Sequence, residues 1–324
     1  MKTAMNKIRR FFTTALKVSI SATLIYLLLK KIGVSTLVNH LVSANWQLLI
    51  VSMLVFSLSN LLGSYQWYLL LKSKNIGISL LQAMAYYHVG LFFNNFLIGY
   101  VGGDAFRIYD IRRGFGDTTS AFATVFFDRI VGFFALSSLA MMVSLFWLQK
   151  FESTMTIVTT TVVLCGWIFC LIILFKESMA KKMSWLFKLF LPRFLHDKGR
   201  ELYYGINRFR YDKILLLRLL FVSLFVQSLR IVTHFFAARA VGVQTSPLYF
   251  FIFIPIVALA ASLPVSVGGI GIREQSGVAL FTPVGIPSAK VAAFEFLAYL
   301  IGILATVPGG IIFAIRKEVN GRAD

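Results

Sequence analysis

The chain has 324 residues, 58% of them hydrophobic and 14% charged, with 32 Lys and Arg against 13 Asp and Glu and a formal net charge of +19. A soluble core needs far less apolar material, so this composition excludes an ordinary globular enzyme and points to a membrane protein with several spans. The positive excess lies mostly between apolar runs, where it marks loops held at an anionic cytoplasmic leaflet; no nucleic-acid partner is expected.

The N-terminal residues Lys2, Lys7, Arg9, Arg10 and Lys17 lead into an apolar stretch that ends at LLLKKIG. It has no small-x-small cleavage pattern, so 11–29 is predicted as a retained first span with the N-terminus inside. Further apolar runs predict spans at 46–71, 80–98, 118–147, 154–175, 214–242, 248–264 and 288–315, while 275–286 is too short to cross. Cys165 and Cys170 share one of these runs and imply neither a disulfide framework nor a metal site. Residues 176–213 hold ten Lys and Arg against four acids around WLFKLFLPRF, which predicts a basic amphipathic cytoplasmic loop on the membrane surface. Arg316 and Lys317 place the C-terminus inside as well.

A simple count of crossings then conflicts with the charges. If 80–98 crossed outward, Arg107, Arg112 and Arg113 would lie outside and every later span would be inverted against the basic loop. The conflict disappears if 80–113 enters from the cytoplasm and turns back, and if 248–286 enters from outside and turns near Val267 to Gly271. The two turns share a motif, VGGDAFR at 101–107 and VGGIGIR at 267–273. The expected architecture is therefore all-α and polytopic. It has about six full spans plus two re-entrant helical hairpins in an inverted-topology repeat, about 46–147 and 214–315, within a single transmembrane domain of residues 1–324. Irregular backbone at that depth is tolerated only where protein or a water-filled cavity covers it, so the turns mark a cavity.

Each turn places Gly-Gly (Gly102 and Gly103; Gly268 and Gly269) before a helix start and an arginine (Arg107; Arg273) in its first turns. Free N–H groups, a close backbone approach and a bidentate guanidinium together describe a cradle for phosphate. Asp104 and Glu274 are candidate gating partners of the arginines, and Asn94 and Asn95 are expected to line the first hairpin, with His88 beside them or simply packing. Asp128, Arg129, Arg230 and Glu295 are charges inside apolar runs and form a candidate supporting network, by mechanism or as buried ion pairs. No G-x-x-x-x-G-K-[ST], G-x-G-x-x-G after a strand, H-E-x-x-H or G-x-S-x-G occurs, so no cofactor, metal or ATP site is expected.

NNFLIGYVGGDAFRIYD, FDRIVGFF and SLPVSVGGIGIREQS, in that order among these spans, resemble the lysyl-phosphatidylglycerol synthase transmembrane-region family, also called flippase-like or UPF0104. The resemblance covers roughly 11–315, and GIRE at 271–274 is its most specific part. The proline and basic residue usual in the family before the first glycine–acid pair are replaced here by Ile98, Gly99, Tyr100 and Val101. In bifunctional members the region moves an aminoacylated phospholipid between leaflets, and stand-alone relatives are associated with other lipids, including polyprenyl-linked ones. The resemblance therefore implies a lipid flippase of the cytoplasmic membrane acting on a phosphate-bearing lipid. Two rivals stay open: a membrane-embedded transferase on a lipid-phosphate carrier, and a non-transporting subunit of a lipid-modifying complex. A lipid-biosynthesis enzyme and a second copy of the chain are the protein partners considered.

Overall fold

The computed structural model describes residues 34–96, 101–146, 204–263, 266 and 268–315, with the isolated residues 26, 30, 161 and 165–168. The predicted spans 11–29 and 154–175, apart from those isolated residues, lie outside the described residues, as do both termini and 176–203 of the basic loop. The helices in chain order are α1 (Val34–Val42), α2 (Trp46–Ser73), α3 (Leu80–Phe96), α4 (Val101–Phe115), α5 (Thr118–Phe146), α6 (Lys213–Ala240), α7 (Pro247–Ser262), α8 (Ile272–Phe281) and α9 (Ser288–Ile315). No strand occurs among the described residues. The protein is an all-α polytopic membrane protein.

Length sorts the helices into two kinds. α2, α5, α6 and α9 have 28 or 29 residues and are apolar enough to cross a membrane. α3 has 17 residues and α7 has 16; at ~1.5 Å per residue neither fully spans a layer of ~30 Å. The long helices are inside out by the standards of a soluble protein. Along α2, Trp46, Ile50, Leu54, Leu58, Leu61 and Tyr65 are exposed, while Ser52, Ser59, Asn60, Ser64 and Gln66 are buried. Along α6, Ile214, Leu217, Phe221 and Phe225 are exposed and Ser223, Gln227 and Thr233 are buried. A spacing of three to four residues puts each set on one helix face. Lipid solvates the apolar stripe, and the polar groups turn inward.

Two compact units divide the chain. The first comprises Met1–Leu61, Ala85–Phe106 and Ser228–Lys317, the second Leu62–Met84, Arg107–Gln227 and Glu318–Asp324. In the first, Phe250 of α7, Phe281 of α8 and Phe294 of α9 are fully buried, with ring centroids 5.0 to 5.7 Å apart. Ser52 donates to the Thr233 carbonyl at 2.8 Å, tying α2 to α6. α9 presses directly on α3: a Cβ added at Gly309 would lie 2.0 Å from the His88 carbonyl oxygen. The same helix meets α2 at Gly302 less tightly, where an added Cβ would have the Phe56 ring as its nearest neighbour at 3.8 Å.

The second unit is built around Leu70, Ala123, Phe127, Phe209 and Leu219, with the rings of Phe127 and Phe209 stacked at 4.6 Å. Lys74, in the turn after α2, donates from Nζ to the Gly205 carbonyl and sits 4.2 Å from the Phe209 ring centroid. Loss of water around the half-buried ammonium, helped by nearby Arg208 and opposed by Asp117, lowers its pKa to about 8.

Gly309→Ala forces a methyl into backbone and should cost about 1–3 kcal/mol, whereas Gly302→Ala should be neutral or stabilising by up to about 1 kcal/mol. Thermal melting of the two variants in detergent checks the contrast, and equal melting temperatures would refute the close α9–α3 contact. Lys74 makes the second expectation. Its folded pKa lies below its unfolded one, so the cost of burying the charge is present in full below about pH 8 and relieved as pH climbs toward the unfolded value. Wild type should therefore gain thermal stability relative to Lys74→Met as pH is raised from 7 to 10; a gap that stays constant would show that the ammonium pays no burial cost.

Candidate functional site

The first glycine turn is a helical hairpin, since α3 ends at Phe96 and α4 begins at Val101. Gly103 is buried against α3, where an added Cβ would lie 1.8 Å from the Gly90 carbonyl oxygen. That approach lets the Gly103 N–H donate to Oδ1 of Asn94 at 2.9 Å, so a side chain of the incoming helix caps the outgoing one. Asn95 donates from Nδ2 to Oγ1 of Thr306 on α9 at 2.7 Å, and Phe93 stacks on Phe106 with centroids 3.9 Å apart.

The second turn uses its glycines differently. Gly268, Gly269 and Gly271 all have positive φ, at 59°, 77° and 83°, a region that other residues enter only with strain. The turn folds back on α7, leaving an added Cβ at Gly269 only 3.0 Å from the Ala261 carbonyl oxygen. Glu274, in the first turn of α8, accepts the Gly271 N–H at 2.7 Å through Oε2. This turn also reaches the first hairpin. The Cβ position of Gly268 lies 3.6 Å from the Asn95 carbonyl oxygen and 3.3 Å from the Tyr299 hydroxyl. Two turns about 166 residues apart in sequence thus meet inside one compact unit.

The two arginines have unlike surroundings. Arg273 lies with its guanidinium carbon 5.3 Å from the ring centroid of Tyr299, in that same unit. Arg107 belongs to the second unit and is 4% exposed. Its Nη2 is 2.9 Å from Oδ2 of Asp128, and its guanidinium carbon is 4.2 Å from the Trp67 ring. Gln66 donates to the other oxygen of Asp128 at 2.8 Å. Asp128, expected in the supporting network, is thus a carboxylate bonded to Arg107, and Asp104 is a half-buried residue of the first turn of α4. Arg129, next to Asp128, is half-buried. The helix starts are also less open than the sequence suggests, because Asn94 and Glu274 cap them. A buried helix end must satisfy its donors within the protein, and these residues do so.

A buried charge cluster lies one helical turn from Arg273. α8 and α9 run antiparallel, with Arg273 at Tyr299 and Gly277 at Glu295, whose Cγ would meet an added Cβ at 3.0 Å. Glu295 is fully buried, and its Oε2 is 3.2 Å from Nδ1 of His234 on α6. Sequence reasoning singled out Glu295 and Arg230 but not His234, although Arg230 and His234 are four residues apart and share a helix face. It also missed Gln66, Trp67 and the buried Asp110. Only Asp110 carried a signal, lying three residues after Arg107 on α4.

Residues 14–310 match the family described as Lysylphosphatidylglycerol synthase TM region. A UPF0104 membrane protein from Pyrococcus horikoshii is 25% identical over 94% of this chain and 97% of its own length. The long apolar helices, the paired glycine turns and this match over nearly the whole sequence lead to one conclusion: the chain belongs to the lysylphosphatidylglycerol synthase transmembrane-region family, and with it to a lipid-related membrane role.

Proposed function

We propose that the protein moves a phosphate-bearing lipid between the two leaflets of the cytoplasmic membrane, with both termini on the cytoplasmic side. The observation that carries this reading is the meeting of the two glycine turns beside Arg273 in one compact unit. Broken helices that meet from opposite directions are how inverted-repeat transporters build a site near the midplane. α3 and α7 are too short to span fully, which suits hairpins that enter and turn back, in repeats at about 46–147 and 214–315. Arg273 contacts the phosphate, with Asn95 and the backbone of Gly268 and Gly269 shaping the space around it. Gly102 and Gly103 let α4 approach α3. Asn94 and Glu274 act as stand-in anion partners for the helix starts and give way when phosphate arrives, by the same exchange of acceptors at N–H groups.

Against a transferase reaction, Asp128 has both oxygens engaged by Arg107 and Gln66, so it is not poised as a general base. Reconstitution with labelled phosphatidylglycerol separates the readings: the lipid changes leaflet under the transport reading, changes chemically under the transferase reading, and does neither for a non-transporting subunit.

Two sets of variants follow from this reading. Arg273→Ala should remain folded and lose lipid movement, and Arg273→Lys should keep part of it, since the charge survives without the paired bonds. Arg107→Ala should behave oppositely, stranding buried Asp128 at a cost of about 3–5 kcal/mol, with Asp128→Asn restoring part of the melting temperature. The reading fails if Arg273→Ala transports normally. Topology supplies an independent check. Single cysteines at Ser79 and Arg113, in a background lacking Cys165 and Cys170, should both react with an impermeant thiol reagent from the cytoplasmic side only. Labelling from opposite sides would reject the re-entrant hairpin.

A further inference from the structure

Glu295 is 0% exposed, yet neither of its carboxylate oxygens has a hydrogen-bond partner among the described residues. Nδ1 of His234 approaches Oε2 to 3.2 Å without the alignment of a hydrogen bond. Nε of Arg230, one turn along α6, is likewise buried and unbonded. A structural ion pair at membrane depth is expected to be fully hydrogen-bonded, because nothing else offsets its desolvation. This one is not, and both members of its core are titratable. Intramembrane carboxylates and histidines so placed serve proton relays.

We infer that His234 and Glu295 form a proton-binding site, and that the protein couples movement of its anionic lipid to the uptake and release of one proton at this pair. The inference rests on the lipid-transport reading and adds its energy source. Charge counting around the pair supports it. α8 contributes Arg273 and Glu274, the latter within electrostatic reach of Glu295; α6 contributes Arg230 and His234, and α9 contributes Glu295 itself. Two arginines and two carboxylates cancel, so the proton held between His234 and Glu295 decides whether the cluster is neutral or carries one positive charge.

The remaining ionisable groups lie further along the packed elements. Lys290 is bonded to the Gly242 carbonyl at the start of α9, and His40 belongs to α1, which packs on α9. His88 packs at Gly309, near the other end of α9, and Asp104 is in the first turn of α4.

A phosphodiester lipid arriving at Arg273 brings one negative charge, one turn of α9 from Glu295. One proton on the pair restores neutrality, and a neutral load crosses a low-dielectric region at far lower cost than a charged one. The proton comes from one aqueous face, is held by Nδ1 of His234 or an oxygen of Glu295, and leaves at the other face with the lipid. Nothing is oxidised and no covalent bond to the lipid changes.

The test uses the full chain in liposomes of neutral lipid carrying labelled phosphatidylglycerol, with a pH gradient imposed and the leaflet ratio read by impermeant quenching. One proton per lipid predicts a ratio approaching about tenfold per pH unit, reversing with the gradient and abolished by a protonophore. In Glu295→Gln the ratio should stay at one. A wild-type measurement guards against a variant that fails to fold: short-chain phosphatidylglycerol added to unbuffered protein in detergent should take up close to one proton per lipid bound. Lipid that moves and binds with no response to the gradient and no proton uptake overturns the coupling alone. Labelled lipid that never changes leaflet, with or without a gradient, overturns the transport reading and the coupling with it.

Discussion

Backbone polar groups that leave a helix at membrane depth must be satisfied inside the protein, and the candidate site is arranged around that requirement. α3 and α7 end and α4 and α8 begin near the two glycine turns, leaving carbonyls and, at α4 and α8, N–H groups that hydrocarbon cannot serve. Asn94 and Glu274 serve two of them with bonds of 2.9 and 2.7 Å. Both acceptors are side chains, and an arriving anion can replace a side chain in a way it cannot replace a backbone carbonyl. Under the proposed function, the constraint that makes broken helices costly also makes them receptive to phosphate.

The same constraint separates the two arginines. Arg107 sits among Trp67, Asp128 and Gln66, whose planar fork, ring face and carboxylate leave it 4% exposed. These contacts link α2, α4 and α5. Arg273 lies on Tyr299 beside the point where the turns meet. Equal spacing from a glycine pair in the sequence therefore does not confer equal roles.

Helix type and position were legible in the sequence because lipid exposure demands long apolar runs; the bounds of α2, α5 and α9 match the predicted spans to within two residues. The break between α3 and α4 falls beside the V-G-G at 101–103 that the sequence marks. Partner choice was not legible. Asp128 is 21 residues from Arg107, and only tertiary packing brings them to 2.9 Å. His234 was missed because a single histidine in an apolar run has no periodic signal, and only the approach of α9 shows that it faces a carboxylate. Glu274, three residues after Gly271, is placed as a helix cap.

The repeated V-G-G also shows how one motif can meet two physical needs. In the first turn Gly103 is helical, and what it supplies is the absence of a side chain, letting α4 press on the Gly90 carbonyl. In the second, Gly268, Gly269 and Gly271 supply positive φ, and the chain reverses in a tight non-helical loop. An alanine at Gly103 would fail by collision with backbone, and one at Gly271 by strain in its own dihedrals. The first turn is thus a rigid helical contact that positions Asn94 and Asn95, and the second is a loop whose shape depends on glycine conformations. Of the two, the loop carries Arg273 at its end and lies one turn of α9 from the His234–Glu295 pair. The α8 start that follows the loop carries Arg273, four residues before Gly277, which packs on Glu295.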